Sequence, residues 1–184
     1  MLANIALNSL DWLLHEHGFR FARYADDFVV LCRIEAEVQE AHERVQRHLG
    51  SLGLTLSAEK TKTTKFREGF AFLGFDISSR SIVMRPKSVE KFKTKIRELT
   101  PRCHNLYARV IAKLNRVIRG TANYFATPFA DVVARFRALD RWIRMRLRCM
   151  KYKRRSLGDN GRIRLERFRR MGLLFLSDLR PAPA

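Results

Sequence analysis

The chain has 184 residues, room for one ordinary domain or two small ones, and its 46% hydrophobic content can supply a core, which excludes wholesale disorder. A formal charge of +19 goes beyond what solubility needs and points to a polyanionic partner. No run of about 18 apolar residues is present to span a bilayer, and the N-terminal Met-Leu-Ala-Asn-Ile-Ala-Leu has no basic segment before its apolar stretch, so it makes a poor signal peptide.

Residues 2–15 place Leu2, Ile5, Leu10, Leu13 and Leu14 at helical spacing, with Gly18 as a stop. The runs Phe19–Tyr24 and Phe28–Cys32 are rich in aromatic and β-branched residues and flank Ala25-Asp26-Asp27, a hairpin pattern with acids at its tip. Residues 35–52 put Val38, Ala41, Val45, Leu49 and Leu52 on one helical face, closed by Gly53. After Leu54-Thr55-Leu56 and a polar stretch, Phe70–Phe75 reads as one strand, Ser78-Ser79-Arg80 as a turn, and Ile82-Val83-Met84 as another strand.

Beyond Pro86 the pattern is helical. Ser88 is a plausible cap for a helix carrying Val89, Phe92, Ile96 and Leu99. Leu106, Val110, Leu114 and Val117 mark a second helix ending near Gly120, and Val132 to Met150 a third. A loop at 156–161, a basic segment from Arg162 to Met171 and an apolar Leu173–Leu176 complete the order, an α+β arrangement.

Charge divides along the same line. Residues 1–84 hold 10 Lys+Arg against 11 Asp+Glu, whereas residues 85–184 hold 27 against 7. With so few acids nearby, the basic helices are expected to meet phosphates more than to form a merely solvated face. Arg outnumbers Lys there, which suits forked phosphate contacts and base stacking. Tyr107, Tyr124, Phe125 and Trp142 are candidates for stacking on unpaired bases, with core packing as the commoner alternative at helical spacing. The cysteines Cys32, Cys103 and Cys149 are isolated, which suggests reduced thiols in a cytoplasmic protein, and Cys103-His104 and His15-x-His17 lack partners at zinc spacing.

Adjacent aspartates in a turn are often structural, because Asp bonds nearby backbone amides. Here the flanks are apolar strands, and two like charges side by side favour a cation. Mg²⁺ takes hard oxygen ligands from a few carboxylates and substrate phosphates, and a pair of such ions supports phosphoryl transfer.

Phe21-Ala22-Arg23-Tyr24-Ala25-Asp26-Asp27-Phe28-Val29-Val30 resembles the catalytic hairpin of reverse transcriptases, with an Ala that suits the group II intron lineage. Leu52–Lys62 resembles the next block of that family, Phe72-Leu73-Gly74-Phe75 the primer grip, and Leu114–Gly120 with Asn123-Tyr124-Phe125 the maturase-specific thumb. CRISPR-associated relatives share such thumbs. The resemblance implies an α+β fold: a partial reverse-transcriptase palm over 1–84, with an antiparallel hairpin and strands beside a packed helix, then an all-helical thumb over 85–184.

Carried over by position, Asp26 and Asp27 would be metal ligands, the first the closer one, for two Mg²⁺ ions in the intact family. Tyr24 and Ala25 would lie by the nucleotide and primer end, as would Leu73, Gly74 and Phe75 of the grip. Lys60 would contact the triphosphate or protonate pyrophosphate, against the alternative of a solvated loop lysine. Gly74 would admit close backbone approach, and a bulge or tight strand contact is a compatible alternative. RNA-binding candidates are Lys91, Lys95, Arg116, Arg119, Arg141, Arg144, Arg148, Lys151, Lys153, Arg154 and Arg155.

A palm carboxylate and the fingers are expected upstream of the helix that opens the chain, because residues 1–11 resemble the tail of the block before the hairpin. Asp11 reads as an ordinary surface carboxylate. The expectation is a truncated or split RNA-directed DNA polymerase, inactive alone, that binds intron or template RNA and primer–template and is completed by an upstream polypeptide. The alternative is a non-catalytic splicing (maturase) module or degenerate remnant.

Overall fold

The computed structural model describes residues 2–103 and 105–179, so His104 of the Cys103-His104 pair lies outside the described residues. Two compact units form, Met1–Leu73 and Gly74–Ala184.

In the first unit, helices α1 (Leu2–Ala6) and α2 (Asn8–Glu16) realise the predicted opening helix, with a shallow break at Leu7, whose ψ of 7° departs from helical values. Gly18 and Gly53 lie in the left-handed region just past α2 and α3 (Glu35–Ser51), where a Cβ would be strained, and each terminates its helix as predicted. Strands β1 (Arg20–Tyr24) and β2 (Asp27–Leu31) pair antiparallel from Arg20↔Leu31 to Tyr24↔Asp27, leaving only Ala25 and Asp26 in the loop.

Alternation along β1 turns Phe21 and Arg23 inward and Arg20, Ala22 and Tyr24 outward. The core beneath is small: Leu7, Leu10, Leu14, Val45 and Leu49, with Phe19, Phe21, Phe28 and Val30 packed on it. Residues 54–69 contain neither helix nor strand, and the short strand β3 (Phe70–Phe72) follows.

The second unit opens with β4 (Phe75–Ile77) and β5 (Ile82–Met84), paired antiparallel. The predicted single strand Phe70–Phe75 is therefore two. Leu73 (φ 47°) and Gly74 (φ 80°), both at positive φ, interrupt the extended run. Helix α4 (Pro86–Leu99) begins earlier than the predicted Ser88 cap, because Pro86 at its first turn is already set at helical φ. Ser88 instead donates its hydroxyl to the Gly74 carbonyl at 3.0 Å.

Helix α5 (Ala108–Phe125) runs past Gly120, against expectation, because Ala122 and Phe125 continue its buried face. Then come α6 (Val133–Tyr152), α7 (Asp159–Arg162), which takes up the second half of the predicted loop and runs one residue past it, α8 (Leu165–Arg170), and a 3-10 turn at Leu176–Asp178. Ile96, Leu114, Ile118, Phe136, Leu147, Phe168 and Leu176 are fully buried in a single core that these helices share.

Asp140 on α6 is buried in that core and accepts the amides of Leu176 (2.9 Å) and Ser177 (3.0 Å), holding the 3-10 turn in place. Burial, the largest influence, pushes its carboxyl above the ordinary 3.8 against the opposing pull of those amides. A folded value above the unfolded one means that the native state binds the proton more tightly. The group's contribution to stability therefore falls as pH rises from about 3.8 through the raised value. Asp140→Ala orphans two amides and is expected to cost about 2–3 kcal/mol in chemical denaturation at neutral pH, and to remove that acid-side slope. A loss below about 0.5 kcal/mol would refute this role for Asp140.

Candidate catalytic hairpin and nucleic-acid interface

Asp26 and Asp27 stand exposed at the β1–β2 tip, and neither makes an ion pair among the described residues. Tyr24 beside them is 68% exposed. The turn has a strained member: Ala25 takes φ 56°, a conformation that costs an L-residue about 1–2 kcal/mol. Across the described residues no group of three or more His, Cys, Asp or Glu gathers in metal-binding proximity. The hairpin offers two hard carboxylates, which suit Mg²⁺ in kind, and the coordination is not completed by a third.

Asp11 is not the idle surface carboxylate expected from the sequence. Arg23 grips it through Nε at 2.7 Å and through a second bond from Nη2. The same guanidinium donates through Nη1 to the Ala25 carbonyl at 2.8 Å and to Asn4 Oδ1 at 3.1 Å. The Asp11 hydrogen bond is the main reason that Arg23 holds its proton even more firmly than usual. Sequence reading passed over Asn4, Asp11 and Arg23 as a group, although one signal was available. Arg23 continues the inward row of Phe19 and Phe21, and a charge facing inward needs a partner.

Lys60 lies in a separate exposed turn, its amide bonded to the Ser57 carbonyl at 3.1 Å. Gly74 is fixed within the second unit. Its carbonyl accepts the Arg85 amide and the Ser88 hydroxyl, both at 3.0 Å. A Cβ on Gly74 would lie 3.0 Å from Ser88 Oγ and 3.4 Å from Phe125 Cζ, so side chains of α4 and α5 crowd this glycine. Phe75 packs its ring against Phe125 (5.0 Å, edge-on) and stacks on Tyr124 (6.1 Å). Of the four aromatic candidates for base stacking, Phe125 is buried and Trp142 is half-buried under Arg97, whereas Tyr107 and Tyr124 are each about half exposed.

The basic residues sort into two groups. Lys91, Lys95, Arg116, Arg119, Arg141, Lys151 and Arg155 are exposed, with no ion pair or side-chain hydrogen bond among the described residues. Arg144 and Arg148 are half-buried: Arg144 lies over the Phe175 ring, and Arg148 covers Phe168 while donating twice to the Ile163 carbonyl, at 3.1 and 2.8 Å. Burial is the main influence lowering the affinity of both for their protons, and neighbouring arginines add to it. Arg154 is paired with the buried Asp159 at 3.1 Å, and Lys153 ends α6 in the left-handed region. Arg146 donates to the Thr100 carbonyl at 2.6 Å at the end of α4.

No helix among the described residues is long and apolar enough to cross a membrane. A comparison with curated proteins finds no match. Two family models match, in chain order. Residues 1–77 match the reverse transcriptase (RNA-dependent DNA polymerase) model, and residues 89–168 match the maturase-specific domain of group II introns. The acidic hairpin falls within the first match and the basic helices within the second, and the chain belongs to the group II intron reverse transcriptase/maturase proteins.

Proposed function

We propose that Asp26 and Asp27 are the metal ligands of an RNA-directed DNA polymerase site, and that the exposed cations of the helical region hold intron RNA or primer–template. The observation that carries this reading is the pair of carboxylates at the hairpin tip, Asp26 in the two-residue loop and Asp27 at the start of β2, neither in an ion pair among the described residues and both inside the reverse-transcriptase match. When bound, Mg²⁺ would activate the attacking 3′ oxygen and stabilise the leaving pyrophosphate. In the chain itself, Asp26 and Asp27 would hold that cation, Tyr24 and Ala25 would border the nucleotide, and Leu73, Gly74 and Phe75 would steady the primer. Lys60 would reach the triphosphate. We place the functional boundary at the change in charge near Arg85, with a palm region over 1–84 and a thumb over 85–184.

Asp11 is engaged by Arg23 and so does not serve as the further carboxylate. We therefore expect residues 1–184 alone to give no primer extension on poly(rA)/oligo(dT) with Mg²⁺. Synthesis is expected once a polypeptide carrying fingers and a palm carboxylate is added. Asp26→Asn should then cut the rate by about two to three orders of magnitude, several kcal/mol of charge stabilisation being lost. Synthesis indifferent to Asp26→Asn would overturn the assignment. A second reading, RNA binding in splicing without catalysis, is favoured by the seven exposed candidate cations that make no ion pair or side-chain hydrogen bond among the described residues. It requires Asp26→Asn to leave RNA affinity intact.

A further inference from the structure

Arg23 makes four hydrogen bonds that converge from three places. Two go to Asp11 on α2, one to Asn4 on α1 and one to the Ala25 carbonyl at the hairpin tip. Its side chain is only 9% exposed, because its place on β1 aims it inward beneath the turn. The Ala25 carbonyl belongs to the same peptide plane as the Asp26 nitrogen. Holding that oxygen therefore fixes the rotation on either side of the plane and sets the direction in which the Asp26 side chain leaves the backbone.

The turn needs such a hold, because Ala25 occupies a positive-φ conformation that glycine would adopt freely and alanine resists. Charge balance matters as well. A bare guanidinium at this spot would compete with a divalent cation for Asp26 and Asp27. Asp11 supplies its counter-charge, and both hairpin aspartates stay without an ion pair among the described residues.

We propose that Arg23, neutralised by Asp11, is a positioning residue that locks the Ala25 turn and so aims the Asp26 and Asp27 carboxylates. This rests on the metal-ligand reading of those two residues, and its test needs neither metal nor activity. Lysine cannot replace Arg23, because one ammonium on a flexible stem cannot fork to Asp11, Asn4 and a carbonyl together.

The test is amide NMR of the full-length chain in Arg23→Gln, Arg23→Lys, Ala25→Gly and Arg23→Gln/Ala25→Gly forms. Arg23→Gln should move the Ala25 shifts away from left-handed values and speed exchange of the Asp27 amide at least about tenfold, as loss of a charge-assisted bond predicts. Arg23→Lys should fall between, and it carries the test if the glutamine variant does not fold. Glycine at position 25 should restore slow Asp27 exchange in the double variant, because it needs no clamp, while changing little by itself. Unchanged Ala25 shifts in both single Arg23 variants would overturn the proposal. So would failure of the glycine rescue, since Arg23 would then act only as an anchor for α2. Mn²⁺ broadening of the Asp26 and Asp27 amides, compared with Asp26→Asn/Asp27→Asn, checks the metal reading separately, and its absence would sink that reading while leaving the Ala25 result standing.

Discussion

Affinity for RNA is expected to fall by about a thousandfold or more between roughly 50 and 200 mM salt, as six or more phosphate contacts dictate. The structure supplies the donors. Lys91, Lys95, Arg116, Arg119, Arg141, Lys151 and Arg155 are exposed and unpaired among the described residues, so their charge is free to displace counterions from a nucleic acid. Each contact removed should flatten the slope of log affinity against log salt by about 0.7–0.9. Arg116→Glu with Arg119→Glu should therefore lower it by nearly two units without loss of fold. Arg148→Glu should behave differently. It strips two hydrogen bonds from the Ile163 carbonyl and buries a charge beside Phe168, so destabilisation comes first. Fluorescence anisotropy against a structured RNA across a salt series separates these outcomes, and a flat salt response would end the phosphate-contact account.

Leu10→Ala is expected to unfold the first unit while leaving the second folded. Leu10 is fully buried in a core whose other buried members are Leu7, Leu14, Val45 and Leu49. Truncating such a leucine costs about 2–5 kcal/mol, and a unit of this size rarely has more than about 3–5 kcal/mol to lose. The second unit, with Phe136, Phe168 and Leu176 fully buried in a far larger cluster, has no part in that loss. Hydrogen exchange resolved by peptide should show residues 1–73 losing protection while α5 and α6 keep theirs. Persistent protection of α2 and β1 in the variant would show that the small core is not what holds the hairpin.

The acidic hairpin and the amphipathic helices were legible in the sequence because their signals are local. The aromatic and β-branched runs Phe19–Tyr24 and Phe28–Cys32 and the 3-4 spacing on α3 and α6 each report on a single element. Helix ends were less legible. Gly120 reads as a stop, yet α5 passes through it, because the burial of Ala122 and Phe125 outweighs the local penalty of a glycine. Ser88 reads as a cap, yet its hydroxyl serves Gly74, fourteen residues away. The Arg23 clamp is the clearest case of what single-element reading misses. Its partners Asn4, Asp11 and Ala25 belong to two helices and a turn, and only the folded arrangement brings them to one guanidinium.

Helix α6 fastens three neighbours at once through Asp140, Arg146 and Arg148, which hold the Leu176 and Ser177 amides, the Thr100 carbonyl and the Ile163 carbonyl. These groups point in different directions around one axis, and each residue added to a helix turns everything beyond it by about 100°. Inserting or deleting one residue between Phe136 and Asp140 would swing all three away from their partners together. Changes of chain length are thus expected to be tolerated better in the segments flanking α6, near residues 127–131 and 154–158, where no such triple registration has to be kept.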